Sequence, residues 1–143
     1  MLSLTCKYAI KAVIYLASKQ ETHINAGVKE IAEYIDASGH TVGKLLQKLV
    51  KEGVINSVKG PSGGFYITAR QLGQPIMVIV KAIDGENVFK ECGLGLSRCS
   101  STHPCPIHND YKKGRDIMEA LFLNNRINDL YKPVSKGLAH LVG

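Results

Sequence analysis

Between Val28 and Val50 the apolar residues recur twice at helical spacing, and only Asp36-Ala37-Ser38-Gly39 separates the two runs. The first run places Val28, Ile31, Ala32 and Ile35 on one face, and the second places Val42, Leu45, Leu46, Leu49 and Val50 on another. Such i, i+3, i+4 patterns predict two short amphipathic helices, with Ser38 suited to cap the second. So tight a connection predicts a helix-turn-helix, whose second member can lie in the major groove of double-stranded DNA. Its outward face would carry His40, Thr41, Lys44, Gln47, Lys48 and Lys51, donors and cations of the kind that phosphates and base edges accept. A solvated surface helix is the plainer alternative for such a face.

What flanks the pair favours the DNA-binding reading. Upstream, Leu4 to Ala17 keeps a broad apolar stripe and predicts a mostly buried first helix. Downstream, Val54 to Val58 reads as a strand, Lys59 to Gly64 as a turn and Phe65 to Thr68 as a returning strand. That hairpin is a wing. Its tip offers Lys59, Ser62, Gly63 and Gly64, and glycine backbone lacking Cβ atoms can approach a phosphate or enter a minor groove closely. After Gly73 a fourth helix is expected, with Pro75 near its start and Ile76, Val80 and Ile83 recurring before Asp84-Gly85 ends it.

From Asp110 to Asn124 the pattern predicts a long amphipathic helix carrying Tyr111, Ile117, Met118, Leu121 and Phe122. A domain this small has little else to cover that stripe, so Ile117, Met118, Leu121 and Phe122 are the expected seam of a homodimer, with packing back onto the first helix as the alternative or in addition. The remainder, broken by Pro133 and Gly137, reads as a weak helical tail. The expected fold is mainly α with a small β-hairpin: a winged helix-turn-helix over 1–85, a loop over 86–108, and a dimerisation helix with its tail over 109–143.

The loop holds the chemistry. Cys92, Cys99, Cys105 and His108 stand among Gly93, Gly95, Ser97, Ser100, Ser101 and Pro104, with little apolar surface to bury idle thiols. Thiolates bind soft or borderline metals and iron–sulfur clusters, so the segment is a candidate metal site. Structural zinc sites usually pair ligands as Cys-x2-Cys, whereas the spacing here is Cys-x6-Cys-x5-Cys-x2-His, wide enough for a bulkier cluster. Zinc and thiol redox sensing remain the alternatives.

With 143 residues the chain is one modest domain, and its net charge of +6 with a pI near 9.2 suits a polyanionic partner such as DNA. No uninterrupted apolar run is long enough to span a bilayer, so a cytoplasmic protein with reduced thiols and no membrane partner is expected. Enzyme function is not expected, because no glycine motif opens a helix after a strand and His23, His40, His103 and His140 have no evident catalytic partners. An electron carrier would need no basic helix-turn-helix.

Together these residues resemble the IscR/NsrR/CymR group of bacterial winged helix-turn-helix regulators. The likeness rests on Tyr8-Ala9-Ile10-Lys11-Ala12-Val13-Ile14-Tyr15-Leu16-Ala17, on Val58-Lys59-Gly60-Pro61-Ser62-Gly63-Gly64-Phe65, on Ala82-Ile83-Asp84-Gly85, and on the cysteine loop. The resemblance implies a homodimer that binds a two-fold symmetric operator through the third helix and the wing. It also implies a two-iron two-sulfur cluster held by Cys92, Cys99, Cys105 and His108. The NsrR-like branch takes an N-terminal aspartate from the other subunit as a ligand, and Lys7 stands near that place here. Adjacent Cys6 is thereby an alternative fourth ligand across the dimer. Where IscR-like members carry Tyr-Leu-Glu in the recognition helix, this chain has Thr41-Val42-Gly43, so their operator preference does not carry over.

Overall fold

A computed structural model describes residues 1–143. Helix α1 (Leu4–Ser18) starts where the Ser3 hydroxyl accepts the Cys6 N–H at 3.0 Å, and it buries Cys6, Ala9, Ala12, Val13, Leu16 and Ala17. Small residues on that face let other helices approach closely. Helix α1 is accordingly the central element, packed against α3, α5 and α7.

Helix α2 (Val28–Ile35) ends at Asp36, which adopts a left-handed conformation with φ 55°, and α3 (Gly39–Lys51) begins after Ser38. The Ser38 hydroxyl caps α3 by accepting the Thr41 N–H at 3.2 Å, as the sequence pattern predicts. Strands β1 (Asn56–Val58) and β2 (Gly64–Tyr66) pair antiparallel, with Ser57 opposite Phe65. Ala26 adds an isolated bridge to β2, exchanging backbone hydrogen bonds with Phe65 at 2.9 and 2.8 Å. The strands are shorter than expected. Val54, Ile55 and Ile67 are buried beside them rather than paired, and Thr68 instead caps α4 (Ala69–Leu72), a turn of helix absent from the sequence reading. Its signature was present in Thr68-x-x-Gln71, a reciprocal capping box.

Helix α5 (Met77–Asp84) leads through a 3-10 turn (Glu86–Phe89) into the cysteine loop, and α6 (His108–Asn124) and α7 (Ile127–Ser135) follow. All but two of the 29 buried residues, Ile14 and Cys105, belong to one cluster of 27, and none is polar. Two expectations need correction. The tail is no weak appendage: Ile76 N–H bonds the Asn125 carbonyl at 2.9 Å, Ile127 N–H bonds the Gln74 carbonyl at 3.0 Å, and these rungs fold α7 back onto α1. Ile127 is thereby fully buried, and tertiary packing outweighs the propensity cost of Pro133.

Phe122, expected in a subunit seam, is only 6% exposed and packs its ring 5.5 Å from that of Phe89 within the same chain. Helix α6 has two apolar faces. Met118 and Phe122, four residues apart, turn toward the core, while Ile117 and Leu121 turn outward with 70% and 45% exposure.

Candidate metal centre and nucleic-acid interface

The four loop donors converge. The Sγ atoms of Cys92, Cys99 and Cys105 all lie within 4.8 Å of one another, Cys92 and Cys105 at 3.6 Å. Cys99 Sγ stands 3.1 Å from Nδ1 of His108, the first residue of α6. Local turns produce this convergence: Gly95, at φ 73°, closes a turn onto the Cys92 carbonyl, and Ser100 and His103 exchange backbone hydrogen bonds at 3.1 and 3.2 Å. The His108 N–H then bonds the Cys105 carbonyl at 3.1 Å, which sets the last thiol against the helix start.

The donors differ in acidity. Backbone N–H groups of Leu96 and Leu94 bring the Cys92 thiol down to about 7, the latter reaching the sulfur at 3.4 Å. Burial, with neighbouring Cys99 and Cys92, pushes Cys105 up. Cys92 therefore becomes a thiolate before Cys105 does, and thiolate is the form that binds metal. Cys6 takes no part. It is fully buried in α1, and burial together with the nearby Asp84 carboxylate pushes its thiol up to about 12, which disfavours the thiolate a metal would need.

Four residues to which the sequence assigns no role at the site complete the cavity wall: Lys90, Gly93, Tyr111 and Arg115. A Cβ on Gly93 would stand 2.6 Å from the Tyr111 ring, so a larger residue there would displace the ring. The Arg115 guanidinium lies 5.6 Å over the same ring and donates through Nη1 to the Glu91 carbonyl, while its Nε, shut off from solvent, meets no acceptor. The signal for two of them was legible: His108, Tyr111 and Arg115 at i, i+3 and i+7 share one helical face.

Three thiols and an imidazole constitute a donor set for zinc or for an iron–sulfur cluster. The orphaned Arg115 N–H on the same wall suits a sulfur-bearing centre of either kind, since sulfur accepts hydrogen bonds.

The DNA-facing candidates lie on α3 and the wing. His40, Lys44, Gln47, Lys48 and Lys51 are exposed, and α3 carries no acidic residue. The Ser38 hydroxyl also donates to Thr41 Oγ1 at 2.9 Å, which engages both side chains in capping and leaves Thr41 half-buried. Lys48 reaches away from the helix to donate to the Ile83 carbonyl at 3.2 Å, near the end of α5. On the wing, Lys59 and Ser62 are exposed at the tip, and Asn25 fastens it by donating to the Ser62 carbonyl at 3.1 Å. Gly63 and Gly64 have a reason internal to the fold. Cβ atoms there would lie 2.2 Å from the Val58 carbonyl oxygen and 2.7 Å from that of Ala26, and Gly64 has φ 143°.

The sequence profile of the Rrf2 family, described as iron-dependent transcriptional regulators, matches residues 2–133. Among individual proteins, an HTH-type transcriptional regulator of Aquifex aeolicus is 29% identical over 136 residues, covering 94% of this chain and 93% of its own length. The HTH-type transcriptional regulator IscR of Klebsiella pneumoniae is 28% identical over 124 residues, covering 83% of this chain and 71% of its own. Of solved structures, the global cysteine regulator CymR of B. subtilis superposes with a TM-score of 0.75 at 20% identity, over 92% of this chain and 95% of that one. T. potens IscR gives 0.72 at 20% identity, over 98% and 92%. At those identities the superpositions establish the shared fold.

Proposed function

The chain belongs to the Rrf2 family of transcriptional regulators, and from that premise we propose that it is a cytoplasmic homodimer whose affinity for a double-stranded DNA operator is set by a two-iron two-sulfur cluster on Cys92, Cys99, Cys105 and His108. The observation that carries this reading is the convergence of three sulfurs and one imidazole at the start of α6. When bound, such a cluster supplies a redox-active centre whose loading or loss can be sensed.

The chain's own residues supply the rest. His40, Thr41, Lys44 and Lys48 on α3, with its cap Ser38, form the reading head, and Lys59, Ser62, Gly63 and Gly64 of the wing lie against phosphates or the minor groove beside it. Ile117 and Leu121, with Met118 at their edge, form the seam with a second copy. The loop joins α5, which packs on α3, to α6, which carries that seam. Closing the loop around its ligands therefore fixes how α3 stands relative to the dimer axis, and so the distance between the two recognition helices. Coupling of this kind is typically worth about 1–3 kcal/mol, or roughly 5–150-fold in affinity.

A structural zinc is the second reading, because sulfurs clustered this tightly also suit the corners of one tetrahedral ion with Zn–S near ~2.3 Å. Purification without oxygen followed by absorbance, iron and sulfide analysis separates the two. A coloured protein with acid-labile sulfide, binding its operator differently before and after cluster removal, is the expected result. A colourless protein with one zinc per chain refutes it.

A further inference from the structure

The iron–sulfur reading leaves the cavity-wall residue Arg115 without an assigned role. Its guanidinium is held from two sides, by the Tyr111 ring and by the Glu91 carbonyl one residue before the first cysteine ligand, and its Nε–H is secluded from water with no acceptor in the protein. An arginine is charged at any pH the protein meets, and an unpaired buried N–H on a charged group is costly. Anchoring on both sides makes this donor preorganised rather than adventitious, and it lines the same cavity as the four ligand side chains. Lys90 adds a second positive charge to that wall, while no carboxylate lines it.

We propose that Arg115 donates its Nε–H to a sulfur of the bound cluster and acts as its counter-charge, holding the reduction potential up. This rests on the iron–sulfur reading of the loop. Two ferric irons, two sulfides, three thiolates and a neutral imidazole carry one net negative charge, and one electron from an external one-electron reductant makes it two without forming or breaking a bond. A fixed cation and an N–H donor at the sulfurs stabilise the reduced state more than the oxidised one, and hydrogen bonds to sulfur are among the established levers on cluster potential. Arg115 is thus a positioning and tuning residue, not a ligand.

The test is a potentiometric titration of the anaerobically purified, cluster-loaded full chain, with resonance Raman spectra of the iron–sulfur stretches. Arg115→Met should favour the oxidised form about tenfold or more, a drop of about 59 mV for a one-electron couple, and should shift the stretches as the N–H···S bond is lost. Arg115→Lys, which keeps the charge and loses the Nε donor, should fall between wild type and Arg115→Met. Lys113→Met, removing an exposed cation from the same helix, should leave both readouts unchanged. If Arg115→Met does not assemble a cluster, the lysine variant decides alone, since it still loses the hydrogen bond. Wild-type potential and stretches in both Arg115 variants overturn the proposal, as does an equal shift from Lys113→Met. Wild-type protein holding zinc without sulfide overturns the parent reading instead, before any variant is made.

Discussion

Replacing Leu121 by Glu should separate the two apolar faces of α6. In the single chain Leu121 is 45% exposed and Ile117 70%, so a partner has about half of one side chain and most of another left to cover. Fully burying a leucine or isoleucine is worth about 1.5–3 kcal/mol, so Leu121 contributes on the order of 1 kcal/mol per protomer to the seam. The substitution loses that contribution twice by symmetry. It also places a carboxylate in the seam of each protomer, where burial without a partner costs several kcal/mol per charge. A loss of at least ~4 kcal/mol raises the dimer dissociation constant about a thousand-fold.

The fold of each chain should survive, because Leu121 contributes little to its own core. Phe122→Ala is the contrasting variant. It removes a ring buried against Phe89, should cost about 3–5 kcal/mol, and should lower Tm by about 10 °C or more. Sedimentation velocity at micromolar protein with circular-dichroism melts reads both effects. Leu121→Glu is expected as a folded monomer with weakened operator binding. A dimer that persists in that variant refutes the assignment of the seam, and a melt as low as that of Phe122→Ala refutes the assignment of the faces.

Single substitutions Cys92→Ala, Cys99→Ala, Cys105→Ala and His108→Ala should each lose the cluster absorbance, while Cys6→Ala keeps it; loss with Cys6→Ala and retention with His108→Ala would mean that the fourth ligand is Cys6 from across the dimer. In metal-free protein, iodoacetamide should react faster as pH rises through about 7, where Cys92 gives up its proton to become the nucleophilic thiolate. Mass spectrometry should place that early label on Cys92, and an inflection that persists in Cys92→Ser would contradict the role of the Leu96 and Leu94 N–H groups. Lys59→Ala should weaken operator and scrambled duplex alike and flatten the salt dependence by about one unit of slope per chain. Lys44→Ala should instead cost the operator roughly 1–3 kcal/mol more than the scrambled duplex; equal losses would mean that α3 only positions the protein.

The helix-turn-helix was legible in the sequence because its determinants are local. Apolar spacing from Val28 to Val50 and the Ser38 cap each act within a few residues, and α2 and α3 stand where that spacing puts them. The convergence of the candidate donors was legible because soft donors in a polar loop have few other uses. Periodicity shows that a face is apolar but not what covers it, and for that reason Phe122 was assigned to a partner when Phe89 of its own chain receives it. The same limit hid α7, whose hold on α1 comes from backbone rungs between Pro75 and Arg126, residues far apart in the chain. Only tertiary structure, by closing the loop between α5 and α6, brings Arg115 to the cysteines and takes Cys6 away from them. Burial and the meeting of side chains distant in sequence depend on the path of the whole chain, which no local pattern encodes.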